Sequence, residues 1–151
     1  MKKLLLFTLA FLSIAMPVAA SPAADVQRTI HQFIDGLNKG DLKAALAACD
    51  SPVSIVDEFP PYQWQGPGAC QVWATAFGAD SKKEGVTDSI VTLAKPRHVD
   101  IAGDRAYVVF PANYAYKQHG KALVEKGATL TAALRKTAAG WRVTAWAWSK
   151  P

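Results

Sequence analysis

Apolar residues recur along the first part of the chain with a helical period. Val26, Ile30, Phe33, Ile34 and Leu37 fall at i, i+4, i+7, i+8 and i+11, the stripe of an amphipathic helix, with Asp25 as its expected N-cap and Asn38-Lys39-Gly40 as its stop. Asp41 then caps a second predicted helix with Leu42, Ala45, Leu46 and Cys49 on its apolar side. Pro52 ends that helix, and Val53 to Val56 begins a strand. Pro60, Pro61, Gly66, Pro67 and Gly68 make the next stretch a loop. Ala69 to Ala79 emerges from it as a third helix, with Val72, Trp73, Ala76 and Phe77 on one side.

From Asp88 onward the period changes to two. Ser89 to Lys95, Arg97 to Ile101, Arg105 to Lys117, Leu123 to Lys136 and Trp141 to Ser149 are rich in Val, Thr and aromatic residues and read as strands. Ala102-Gly103-Asp104, His119-Gly120 and Ala138-Ala139-Gly140 supply the turns. Strands that follow one another without intervening helices pair antiparallel. The expected fold class is therefore α+β, with three N-terminal helices packed on a long, curved, largely antiparallel sheet. No internal repeat or low-complexity tract interrupts it.

The start of the chain follows neither pattern. Lys2-Lys3 precedes an apolar run of 13 residues, Leu4 to Met16, and Pro17-Val18-Ala19-Ala20-Ser21 places small residues as in a signal-peptidase site. Spanning a bilayer takes roughly 20 apolar residues, so the reading is a cleaved signal peptide over 1–20, not an anchor, with no membrane insertion after cleavage. The protein is then exported, into a bacterial periplasm, and residues 21–151 form a single domain. Without the leader the formal net charge falls from +5 to +3 with no basic block, which argues against a nucleic-acid surface.

Export changes the reading of the two cysteines. Cys49 and Cys70 are the only pair in the chain, and an oxidising compartment permits a disulfide between them. The alternative is two small buried apolar residues. His31, His98 and His119 are scattered singly and do not build a metal site with them. No metal and no cofactor is expected.

The order of elements, with Leu37-Asn38-Lys39-Gly40-Asp41 between the first two helices, an acidic end to the first strand at Asp57, and the closing hairpin Leu134-Arg135-Lys136 to Gly140-Trp141-Arg142-Val143, resembles the nuclear transport factor two-like (NTF2-like) superfamily. That superfamily includes SnoaL-like polyketide cyclases and ketosteroid isomerase, and the resemblance covers Asp25 to Ser149. It implies a cone in which a bent sheet wraps helices around one apolar pocket. Fold alone does not settle function in so mixed a group.

Carried residue by residue, the resemblance places Asp57 where the isomerase has its proton-shuttling aspartate. A carboxylate at an apolar wall loses solvation, its pKa rises, and it becomes a competent general base near neutral pH. The isomerase's oxyanion donors are absent, because Phe33 stands at the tyrosine position and Ala132 at that of the second acid. One such donor is worth about 3 to 4 kcal/mol, so steroid isomerisation is disfavoured. A donor from Tyr62, Tyr114, Tyr116 or a Trp indole would still permit another cofactor-free proton transfer.

The expected pocket takes aromatic walls from Phe59, Tyr62, Trp64 and Trp73 beside the acidic pair Asp57-Glu58. In the isomerase-like register Ala145 and Ala147 face the interior with Phe33 and Ala132, leaving Trp146 and Trp148 on the outer sheet face. With Thr129 and Thr131, those indoles would then form a homodimer interface, since two tryptophans should not stay in water. The opposite register puts both indoles in the pocket. The expected function is binding of a small apolar molecule. The alternatives are a cofactor-independent isomerase, cyclase or dehydratase with Asp57 as base, and a dimeric assembly module without ligand.

Overall fold

The computed structural model describes residues 21–151, and the leader expected over 1–20 lies outside them. Helix α1 spans Pro22–Asn38. Its N-cap is Ser21, whose hydroxyl accepts from the Ala24 N–H at 3.2 Å, and Pro22 fills the first turn, where its missing N–H goes unneeded. The expected cap, Asp25, instead lies inside the first turn and pairs with Arg28 at 2.8 Å. Helix α2, Leu42–Ala47, starts as expected with the Asp41 carboxylate accepting from the Ala44 N–H. A Cβ at Gly36 would come within 2.7 Å of the Ala45 backbone nitrogen, so glycine is what lets the two helices approach this closely.

Strand β1, Cys49–Val56, begins earlier than expected and contains Pro52. It tolerates the proline because the neighbouring strands pair only at Cys49 and from Val53 onward, leaving no ladder bond there to lose. A short strand β2, Gln63–Gly66, lies within the expected loop, and helix α3, Ala69–Lys83, follows it. The third helix is therefore not N-terminal to the sheet but inserted between its second and third strands. Strands β3 (Val86–Leu93), β4 (His98–Ala102), β5 (Arg105–Gln118), β6 (Lys121–Thr137) and β7 (Gly140–Ser149) complete the chain. The sheet order is β2-β1-β7-β6-β5-β3, with β4 also on β5. All pairs are antiparallel except β1 with β7.

Cys49 and Cys70 form a disulfide joining the start of β1 to the start of α3. Closing the intervening 21-residue separation contributes about 3 kcal/mol in the chain-entropy account. The helices cover one sheet face. Val26, Ile30 and Phe33 of α1 and Trp73 of α3 meet Ile55, Val108, Phe110, Leu130 and Val143 of the sheet in one buried core.

Three bulges decide which side chains face that core. Between β6 and β7 the pairing passes from Ala133↔Ala145 to Leu134↔Val143, so Thr144 is an extra residue. Trp141 and Val143 are buried before it and Trp146 after it, because one extra residue reverses the alternation of faces. Trp146 and Trp148 therefore face inward, and Ala145 and Ala147 lie on the outer face beside Thr129 and Thr131. This corrects the expected register and removes both indoles from the outer interface. In β6 Gly127, with φ of +87°, is extra against Ala112-Asn113, and it turns Glu125 inward where Lys126 would otherwise point. In β3 the extra residue falls at Asp88-Ser89, with φ of +54° at Asp88.

Candidate functional site

Between the helices and the sheet lies a partly open cavity of about 260 Å³. Phe33, Phe59, Trp73, Phe77, Trp146 and Trp148 supply much of its wall. Trp73 stacks on Phe77 with centroids 5.6 Å apart and meets Trp146 edge-on at 4.8 Å, and Phe33 packs against both tryptophans. On the strand side, Tyr114 and Tyr116 stack at 4.7 Å. The Tyr114 hydroxyl is 2.8 Å from that of Ser89, the residue that the β3 bulge brings inward.

Asp57 follows directly on β1 and is only 8% exposed. One carboxylate oxygen accepts from the Trp73 indole N–H at 2.8 Å and the other from the Glu58 backbone N–H at 2.8 Å. Burial raises its pKa above the ordinary carboxylate range, against the opposing pull of those two donors and of Lys150. Glu58 is also raised, first by burial and then by the nearby Glu125 charge, while Lys150 opposes at 3.3 Å. Glu125 accepts from the Tyr116 hydroxyl at 3.2 Å. Three cavity-lining residues keep a buried polar atom without a hydrogen-bond partner among the described residues: Glu58 through Oε2, Glu125 through Oε2 and Trp146 through Nε1.

Of the residues expected to bind ligand, Phe33, Phe59 and Trp73 line the cavity together with Asp57. Tyr62 does not, because a φ of +69° turns it out to 57% exposure. Trp64 is buried behind Phe59, with ring centroids 4.9 Å apart, and supports the wall without forming it. Ala132 faces inward beside Trp146 but lies in the packed core below the cavity. Ala145 and Ala147 are excluded by the Thr144 bulge. The pattern of alternation missed Glu125 and Lys150, although an isolated glycine inside a strand, here Gly127, is a sign of a bulge.

The histidines stay apart. His31 is exposed and rests edge-on against Phe110, His98 is exposed on β4, and His119 occupies a turn with φ of +50°. No group of three or more His, Cys, Asp or Glu side chains among the described residues is placed to hold a metal ion.

Helices laid on a mixed seven-stranded sheet, with a cavity between the layers, form the NTF2-like fold. The chain is similar to an NTF2-like superfamily protein from Salmonella enterica serovar Typhimurium, with a TM-score of 0.72 and 15% identity over 86% of this chain and 91% of that one. It is also similar to the CaMKII hub of S. rosetta, with a TM-score of 0.69 and 20% identity over 89% of this chain and 100% of that one. A ketosteroid isomerase-like protein from Erwinia carotovora atroseptica aligns with a TM-score of 0.63 and 19% identity over 85% and 95%. No protein-family model and no curated protein matches the chain. At these identities the likeness establishes the fold.

Proposed function

We propose that the protein is an exported binder of one small, largely apolar molecule held between Trp73, Phe77, Trp146 and the Tyr114-Tyr116 stack. The observation that carries this reading is the coincidence of an aromatic-walled cavity with three buried polar atoms that lack partners. Unpaired buried donors and acceptors destabilise a fold by about 1–3 kcal/mol each, and a ligand that satisfies them recovers that loss. Native mass spectrometry of the protein purified gently from its own compartment is expected to show a retained small molecule. A ligand-free chain attached instead to a defined partner protein would overturn the proposal in favour of an assembly role.

Asp57 supports a second reading, in which the bound molecule undergoes proton transfer. Its carboxylate is buried at the cavity wall with a raised pKa, held in orientation by the Trp73 indole. Phe33 offers no hydroxyl, but the Trp146 N–H is buried at the same wall with no acceptor among the described residues and is available to a developing oxyanion. The reaction class would be isomerisation, cyclisation or dehydration at a carbonyl compound. Under this reading Asp57→Asn abolishes turnover, and under simple binding it leaves affinity near the original.

The outer face of β7 and β6 carries the small side chains Ala145, Ala147, Thr129 and Thr131, flanked by the exposed Val56 of β1 and Tyr107 of β5. We propose this face, without the tryptophans, as the contact between two copies of the chain.

A further inference from the structure

The cavity is acidic although the chain is basic. Five acids and one lysine line it, in a protein whose formal net charge is +5. Glu84 is engaged at the surface by Lys83 at 2.9 Å. Deeper in, Glu58 lies within electrostatic reach of both Asp57 and Glu125, and Lys150 is the cation among the residues that line the cavity. Lys150 lies 3.3 Å from Glu58 Oε1, and Glu58 Oε2 and Glu125 Oε2 are both buried and unpaired among the described residues. Burying like charges together is unfavourable unless a counter-charge is supplied.

Aromatic rings line the same cavity as these carboxylates. Glu125 pairs across the sheet with Tyr114, whose ring stacks on Tyr116 and is met edge-on by Trp148 at 6.4 Å. Carboxylates and aromatic faces together attract a cation that retains an apolar surface. Trp146 is 6% exposed, and its unpaired N–H at the same cavity calls for an acceptor atom on the ligand body. An anionic ligand would meet three carboxylates and a lysine already engaged.

Resting on the reading of the cavity as a binding site, we propose that its ligand is a small organic cation. It would be an amine or ammonium on an apolar or aromatic body, its charged head placed at Glu58 and Glu125 and its body against Trp146 and Trp148. Lys150 then acts as an internal competitor that occupies part of the cation site when the ligand is absent.

Isothermal titration calorimetry at low salt tests this with three probes of similar size: 2-phenylethylamine, 2-phenylethanol and phenylacetate. The amine is expected to bind at least tenfold more tightly than the alcohol, and phenylacetate most weakly. Glu125→Gln should weaken the amine severalfold and leave the alcohol unchanged. Lys150→Ala should tighten the amine and, by contrast, would weaken an anion. Equal or tighter binding of the alcohol or phenylacetate, binding of none of the three, or loss of amine affinity in Lys150→Ala would overturn the proposal. Release of a neutral molecule in the native mass spectrum would also sink the cationic ligand while leaving the binding site itself in place.

Discussion

At the scale of single residues, the cavity is held together by groups placed against their own preference. Burial raises the pKa values of Asp57 and Glu58, so their neutral forms favour the folded state. A carboxyl whose folded pKa exceeds its unfolded value contributes stability that is complete below roughly pH 4 and is lost as pH rises through the folded pKa. Melting temperature is therefore expected to carry a declining component from about pH 4 upward. The pair Asp57→Asn with Glu58→Gln should remove it, and a wild-type slope in that variant's melts would contradict the assignment. Asp50 acts in the opposite sense and at lower pH. Burial pushes its carboxyl up, but hydrogen bonds from Arg135 and the Ser51 N–H outweigh burial and hold it below the usual range. Its contribution is present above about pH 4 and disappears on further acidification.

At the scale of elements, the bulges set the chemistry of the wall. Deleting Thr144 restores strict alternation to β7, and either the segment before the deletion or the segment after it must then turn its side chains over. Both alternatives displace large indoles, Trp141 in one case and Trp146 with Trp148 in the other. The variant is expected to lose several kcal/mol, as buried aromatic truncations do, and to lose probe binding. A Thr144 deletion that melts within a degree or two of the parent would show that the bulge does not fix the register. The same feature separates what was legible in the sequence from what was not. Val26 to Leu37 and the Asp41 cap announce α1 and α2 because helical period and cap chemistry are local. Asp57 was legible as the acidic end of a strand. The choice between the two registers open to Trp146 and Trp148, and the inward turn of Glu125, were hidden, since one extra residue in an otherwise alternating strand inverts every position beyond it. Pro52 misled for a related reason: it reads as a breaker, yet it occupies a gap in the ladder where no N–H is required.

At the scale of the whole molecule, the inner and outer sheet faces divide the work. The inner face holds the aromatic and acidic wall, and the outer face carries Ala145, Ala147, Thr129 and Thr131, the proposed contact with a second copy. Ala147→Arg places a charge in the middle of that face without touching the cavity. Sedimentation velocity is expected to find the parent as a dimer and this variant as a monomer that still binds the amine probe. A variant of unchanged mass would place the contact elsewhere. The disulfide also couples the cavity to the redox state of its surroundings. Cys49 stands eight residues before Asp57 and Cys70 three residues before Trp73, so the covalent clip ties together the two chain segments that meet in the indole-carboxylate hydrogen bond. On reduction the buried acid would keep its orientation only through packing and its two hydrogen bonds, so the reduced chain is expected to carry a less ordered cavity than the oxidised one. Affinity for the amine probe is thereby expected to fall under reducing conditions, and an unchanged affinity after reduction would show that the clip does not shape the cavity.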